Sequence, residues 1–332
     1  AAIGGMVFPA LIYFSLNVDE IGSGGWGVPM ATDIAFAISV LVLLGKRVST
    51  ALVTFLVALA IVDDLGAVLV IAVFYTDQIH IAPLALAGVA FLILVLFNRF
   101  GIHMILPYFI IGTLMWFFVF ESGVHATIAG VIAAMAVPSK PKQTSSSLPK
   151  DTKKLLDEYD KYPPRENYML HEEQKAILIN IQDKINSVRS PAARLEHDLH
   201  LPVALVVIPL FALANAGIAI DFNSIGNVII EPISMGIILG LIVGKVIGIF
   251  GVSWLAIKLK ISKLPDQSSM SQIFGIALLG GIGFTMSIFI AELAFLKTPE
   301  LIFQAKIGIL SASLLAGLSG FLWLRYVAKK HP

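Results

Sequence analysis

The sequence predicts an all-α polytopic membrane protein, and three observations predict it. Of 332 residues, 57% are hydrophobic and only 14% charged, with a mean hydropathy of +0.88, against roughly 25% charged in soluble chains. No soluble fold of this size has an interior for that much apolar surface, whereas about ten spans of about 20 residues absorb it. Second, the apolar stretches separated by short polar joints number ten. Third, positive charge falls on alternate joints. Zero Cys excludes disulfides, Cys-ligated zinc, iron–sulfur clusters and a thiol nucleophile, and a net charge of +1 leaves no basic surface for nucleic acid.

In chain order the stretches cover 1–17, 25–45, 51–75, 82–98, 102–120, 123–137, 201–220, 228–257, 272–296 and 301–326. Each is longer than the about ten alternating residues of a barrel strand, so each is read as a helix. Lys and Arg are retained on the cytoplasmic side of spans. Here Lys46 and Arg47, then Arg99, then eleven cations between 138 and 200, then Lys258, Lys260 and Lys263, then Arg325, Lys329 and Lys330 make 20 of the 23. The alternate joints carry Asp19 and Glu20, Asp77, Glu121 and Asp221, with Lys297 as their one cation. Both ends of the chain are therefore expected in the cytoplasm.

The chain divides into six spans over 1–137, a cytoplasmic insertion over 138–200 and four spans over 201–332. Within the insertion, Ser139 to Asp151 is rich in Pro, Ser and Lys and reads as a linker. Glu166 to Val188, with Leu170, Ile177, Leu178, Ile181 and Ile185 at helical spacing, reads as one amphipathic helix. The chain opens at Ala1 without Met, already apolar, and reads as a fragment lacking upstream sequence.

A charge at mid-membrane costs about 2.5 to 3.5 kcal/mol on insertion scales, so charges inside spans are candidate functional groups. Four stand out: Asp33, Asp63, Asp64 and Lys245. Asp33 lies in Pro29-Met30-Ala31-Thr32-Asp33, where Pro29 removes a donor and Thr32 and Asp33 compete for backbone groups, so the helix is expected to break and leave Asp33 facing two helix ends. Asp63 and Asp64 sit halfway along a wholly apolar helix; neighbours differ by about 100° around the axis, so the two carboxylates have different surroundings. Lys245 is too deep to reach either surface and needs a carboxylate partner or must titrate. Gly240, Gly244 and Gly248 give its helix a close-packing face, expected to receive the helix of Asp63 and Asp64. In the ninth stretch Gly280, Gly281 and Gly283, followed by Thr285, mark a second break. Softer candidates are His125, near the outer end of its span, and the titratable cluster Glu196, His197, Asp198 and His200, where the insertion re-enters the membrane. Glu292 and Lys306 are expected to reach the outer interface.

These stretches carry a family resemblance. Ala31-Thr32-Asp33-Ile34-Ala35-Phe36, Ala60-Ile61-Val62-Asp63-Asp64-Leu65-Gly66-Ala67, Ser122-Gly123-Val124-His125-Ala126-Thr127, Pro209-Leu210-Phe211-Ala212-Leu213-Ala214-Asn215-Ala216-Gly217 and Gly281-Ile282-Gly283-Phe284-Thr285-Met286-Ser287-Ile288-Phe289 resemble, in order, the conserved stretches of the bacterial NhaA Na+/H+ antiporters. That family is itself a standard example of an inverted-repeat transporter with two discontinuous helices crossing at mid-membrane, so this architecture comes with the resemblance and not from composition. The resemblance implies that Asp64 binds the ion, that Asp63 is its neighbour and pairs with Lys245, and that Thr32 and Asp33 belong to one broken helix and Gly280 to Thr285 to the other. It implies a pH response at Glu196, His197 and His200, and more weakly at His125. Family members have twelve spans, so two are expected before Ala1, and the 138–200 insertion is longer than the usual joint.

The implied activity is secondary active exchange of internal Na+ or Li+ for external H+, with no enzymatic step and no cofactor. Na+ is a hard cation, and carboxylates, a Thr hydroxyl and unwound carbonyls are its ligands. A buried carboxylate beside another can hold a proton or a sodium ion but not both, so competition at a site open to one side at a time yields exchange. The implied location is the bacterial inner membrane, with membrane lipid as the surroundings and a homodimer as the candidate assembly. Two alternatives stay open on the residues alone, and a third, a passive cation channel, is disfavoured because the buried Lys245 beside the carboxylates opposes cation flow. An intramembrane aspartyl protease also uses two aspartates, but its Gly-x-Gly-Asp stretch has no match, since Phe284 follows Gly283. A sodium-coupled symporter for an organic anion would need a specificity pocket.

Overall fold

The computed structural model describes residues 1–332 except 19–20, 76–78, 144–145, 147, 163–169, 216, 218–224 and 328–332. The acidic joints Asp19, Glu20, Asp77 and Asp221, the tail cations Lys329 and Lys330, and Glu166 lie outside the described residues. Among the described residues there is helix and no strand. Among the described residues, six helical segments, counting 22–44 as one, are long and apolar enough to cross a membrane, one bent pair passes the same test, and three more apolar helices are shorter.

Two compact units emerge, residues 1–75 with 209–332, and residues 76–208. The first begins with α1 (Ala2–Leu16), a 3₁₀ stretch over Ile21–Met30, α2 (Ile34–Leu44) and α3 (Thr50–Phe74). The 3₁₀ stretch follows from composition: Gly22, Gly24, Gly25 and Gly27 favour no α-helix, and Gly22, Gly25 and Gly27 admit bulky neighbours. A Cβ on Gly25 would lie 2.5 Å from the Tyr13 hydroxyl, which donates to Gly22 O at 2.7 Å. On α3, Leu52, Leu56, Leu59, Ala60, Asp63, Ala67 and Ile71 are buried. Their spacing of three and four makes one face, so Asp63 sits on the packed stripe of its helix.

The second unit holds α4 (Ile81–Arg99), α5 (Ile105–Glu121) and α6 (Thr127–Ala136), packed through Ala87, Ala90, Leu94, Tyr108, Met115 and Ala129. Asn98 Nδ2 donates to Ala136 O at 2.8 Å, closing the end of that trio. Two helices follow where one was expected: α7 (Leu148–Tyr159) and α8 (Glu172–Val188), bridged by Lys184 and Asp151 at 3.4 Å. The additional helix starts inside the stretch read as linker. Leu148, Leu155 and Tyr159 lie on one face at helical spacing and are half-buried, but the intervening Lys and Asp residues mask that period in the sequence. Next, α9 (Pro191–Asn215) begins ten residues before the apolar stretch, because Ser190 caps it and Pro191 opens it.

The first unit resumes with α10 (Ile225–Ile230), α11 (Pro232–Lys258), α12 (Met270–Leu279), α13 (Phe284–Ala294) and α14 (Pro299–Val327). Between membrane helices lipid is as apolar as Leu, so close approach through small residues carries association. The Gly240, Gly244 and Gly248 face does this, but against α1 and not against α3 as expected. A Cβ on Gly244 would lie 2.7 Å from Pro9 Cα, and one on Gly248 would overlap the Gly4 carbonyl. The expected partner was chosen for its charge, whereas the surface that fits the stripe is the Gly4, Gly5 and Pro9 face of α1.

Candidate functional site

Two interruptions meet in the first unit. The 3₁₀ stretch, with Pro29 in its last turn, ends at Met30, residues 31–33 are non-helical, and Asp33 starts α2 as its N-cap, its Oδ1 accepting from Phe36 N at 3.2 Å. Across from it, α12 stops at Leu279 and α13 resumes at Phe284 with a bend of 46°. Stitching is direct: Asp33 N donates to Ile282 O at 2.6 Å, and Asp33 Oδ2 accepts from Thr285 N at 3.1 Å and from the Thr285 hydroxyl. One carboxylate thereby caps two helix N-termini, a favourable place for negative charge. Ser287 Oγ adds a bond to Val28 O at 2.7 Å.

The glycines of the second break serve proximity, since none of Gly280, Gly281 and Gly283 is among the positive-φ glycines. A Cβ on Gly281 would lie 2.5 Å from Leu241 O, and one on Gly280 2.6 Å from Ile249 Cδ1. Both contacts are with α11, which the glycines allow to press against the break.

That helix delivers Lys245. Its backbone widens into π turns at Gly240–Gly244 and Val246–Gly251, on either side of the lysine, a form of helix common at functional sites. Lys245 is fully buried, and its Nζ donates to Asp63 Oδ2 at 2.7 Å, to Thr32 Oγ1 at 2.9 Å and to Met30 O at 2.5 Å. All three ammonium protons are used. The Thr32 hydroxyl lies 2.8 Å from Gly280 O and 3.1 Å from Asp63 Oδ2, and its single proton serves one of them at a time. Thr32 is thus the residue that touches the lysine, the carboxylate and the second break together.

Asp63 is fully buried yet its Oδ1 has no hydrogen-bond partner, and the same holds for Asp64 Oδ1, whose residue is half-buried. Buried oxygens without donors are costly unless something else visits them. The structure brings Thr32, Asp63, Lys245 and Gly280 into one hydrogen-bonded group and Asp33 and Thr285 into a second, the two joined through the adjacent residues Thr32 and Asp33. Glu196, His197 and His200 lie exposed along α9 and His125 half-buried before α6, all in the second unit.

Two contacts were not foreseen. The hydroxyl of Ser313, on α14, accepts from Phe284 N at 3.1 Å. Glu292 and Lys306 pair with each other at 2.8 Å, with Lys306 buried. A lone Ser in an apolar helix carries no sequence signal, but Glu292 and Lys306 were two opposite charges flanking one joint, which was a usable hint of pairing.

The sodium/proton antiporter family described as Na+/H+ antiporter 1 matches residues 1–324. The Na(+)/H(+) antiporter NhaA of Sulfurimonas denitrificans is 68% identical over 329 residues, covering 99% of this chain and 74% of that protein. The NhaA 1 antiporter of Saccharophagus degradans is 49% identical, covering 98% of this chain and 70% of its own, and the Helicobacter pylori NhaA is 46% identical, covering 99% and 74%. With a family match over nearly its whole length and a broken-helix crossing that joins Asp33, Thr32, Asp63 and Lys245, this multi-pass membrane chain belongs to the Na+/H+ antiporter 1 family.

Proposed function

We propose that the chain exports Na+ or Li+ in exchange for H+ across the bacterial inner membrane by alternating access, with both ends of the chain in the cytoplasm. One observation carries the reading: Asp63 Oδ1 and Asp64 Oδ1 are buried oxygens with no hydrogen-bond partner, on adjacent residues. Such oxygens suit a hard cation when deprotonated and a proton otherwise, and the two cargoes exclude each other. Asp64 is the principal carboxylate for Na+, since Asp63 already shares its Oδ2 with Lys245. Thr32 offers a hydroxyl oxygen beside them. Asp33 and Thr285 hold the two breaks against each other, with Gly280, Gly281 and Gly283 allowing the close approach.

Carrying more protons in than sodium ions out makes the cycle electrogenic, each net charge gaining about 2.3 kcal/mol per 100 mV. Regulation by pH is assigned to Glu196, His197 and His200, exposed on α9, and more weakly to His125. The chain is a transporter and needs no resident cofactor; its surroundings are lipid, and a homodimer is the proposed assembly. The test is Na+-dependent proton movement in everted membrane vesicles. Parent protein dissipates an imposed proton gradient when Na+ or Li+ is added, and Asp64→Asn does not, because an amide neither releases a proton nor neutralises Na+. Exchange by Asp64→Asn at the parent rate would remove Asp64 from the role.

A further inference from the structure

The second break is held from outside by one uninterrupted helix. Antiparallel to the broken span, α14 meets it at three polar points. Trp323 Nε1 donates to Ser271 O at 2.8 Å near the start of α12, Ser313 Oγ accepts from Phe284 N at 3.1 Å at the first residue of α13, and Lys306 pairs with Glu292 at 2.8 Å near the end of α13. Between them the packing is close: a Cβ on Gly320 would lie 2.5 Å from Leu279 Cδ2, and one on Gly281 3.1 Å from Ala316 Cβ.

The registers of the two helices differ on either side of the break. From Lys306 to Ser313 is seven residues on α14, against eight from Phe284 to Glu292 on α13, so α13 keeps step with its neighbour. From Ser313 to Trp323 is ten residues, against thirteen from Ser271 to Phe284. At about 1.5 Å per residue the broken span has roughly 4 to 5 Å of chain to spare there, absorbed in the bend and in residues 280–283. On the side away from α14 the N-terminus of α13 is tied by Asp33, through Ile282 O and Thr285 N, and by Ser287 on Val28 O. Gly283, its own N-cap, provides no side-chain cap. The first two amides, Phe284 N and Thr285 N, are instead satisfied by Ser313 and Asp33.

We propose that Ser313 and the Glu292–Lys306 pair are positioning residues for transport: they hold α13 at the height where Thr285 meets Asp33 beside the Asp63 and Lys245 cluster. They touch neither ion, and act through α13. The inference rests on the Na+/H+ exchange reading of the site, and parent protein serves as the control that separates the two.

The experiment measures the apparent KM for Na+ and the maximal exchange rate in vesicles of the full chain, for parent, Ser313→Ala, Ser313→Thr, Glu292→Lys, Lys306→Glu and the last two combined. Ser313→Ala is expected to raise the Na+ KM about fivefold, the worth of one such hydrogen bond, with Ser313→Thr restoring the parent value because it keeps the hydroxyl. Each single charge change raises KM, and the combined reversal brings it back to within about twofold of parent. If Ser313→Ala does not accumulate in membranes, the reversal decides alone. An unchanged KM in Ser313→Ala, or a reversal no better than its singles, overturns the positioning role. Absence of exchange in the parent overturns the functional reading instead.

Discussion

Removing the paired charges of Asp63 and Lys245, first singly and then together, measures what Lys245 is for. Lys245 and Asp63 are both fully buried and 2.7 Å apart. Lys245→Gln strands the Asp63 carboxylate, and Asp63→Asn strands the ammonium, each costing about 3 to 5 kcal/mol by the usual penalty for an uncompensated buried charge. Asp63→Asn falls at the lower end, since Nζ keeps Met30 O and Thr32 Oγ1. The double variant leaves neither member of the pair charged, and its main loss is the donor to Met30 O, an unsatisfied acceptor worth about 1 to 3 kcal/mol. The double is therefore expected to be more stable than either single, with a coupling energy of about 3 kcal/mol or more, at the top of the range for neighbours. Unfolding of the four proteins by sodium dodecyl sulfate in mixed micelles, followed by tryptophan fluorescence, gives that coupling. Additivity within about 0.5 kcal/mol would refute the ion pair as an energetic unit. The same four proteins, reconstituted at clamped potential, report on transport. Lys245 is expected to carry a proton in the cycle, so the double variant exchanges without voltage dependence; retained voltage dependence assigns Lys245 to neutralising Asp63 and nothing more.

Other outcomes follow from single contacts. Thr285→Val removes the hydroxyl bond to Asp33 but leaves the Thr285 N bond, and is expected to slow exchange by about tenfold without abolishing it, read in the same vesicle assay. Gly248→Leu drives a side chain into the Gly4 backbone and is expected to cost at least about 3 kcal/mol of stability, seen as loss of folded protein on fluorescence-detected size exclusion. Since Na+ needs the deprotonated carboxylate, apparent Na+ KM is expected to rise by about tenfold per unit fall in pH where one proton competes with one ion, and a pH-independent KM would exclude competition at one site. The chain lacks Cys, so Lys153→Cys gives a single thiol on α7, expected to react with an impermeant maleimide in everted vesicles and not in intact cells.

The helical, multi-span character was legible because the signal, long apolar runs between charged joints, is itself the physical requirement for crossing a membrane. So was the break at Pro29, where a missing donor and two competing side chains fall together. Partner choice was not legible. Gly240, Gly244 and Gly248 announce that something comes close, but small residues say nothing about what, and the mate turned out to be the Gly4 and Pro9 face of α1. Charges misled in the opposite way. Pro191 and Ser190 are clear helix-start residues, yet the Glu196 to His200 cluster suggested a boundary where α9 simply continues. The role of Thr32 at the centre of the set depends on three elements arriving from positions far apart in the chain, information that no local pattern holds.

That separation matters during synthesis. Asp63 and Lys245 stand 182 residues apart. At roughly 5 to 20 residues per second, the ribosome delivers the lysine about ten to forty seconds after the aspartate. The helix carrying Asp63 and Asp64 therefore leaves the insertion machinery without the ammonium that will sit beside it. Ser313, Lys306 and Trp323 emerge later still. Until then the nascent chain has to keep a buried carboxylate provisionally accommodated, by water, by the translocation channel or by Thr32 of the preceding broken span. A ribosome stalled before residue 245 would therefore display the Asp63 carboxylate without the lysine that it pairs with in the folded chain.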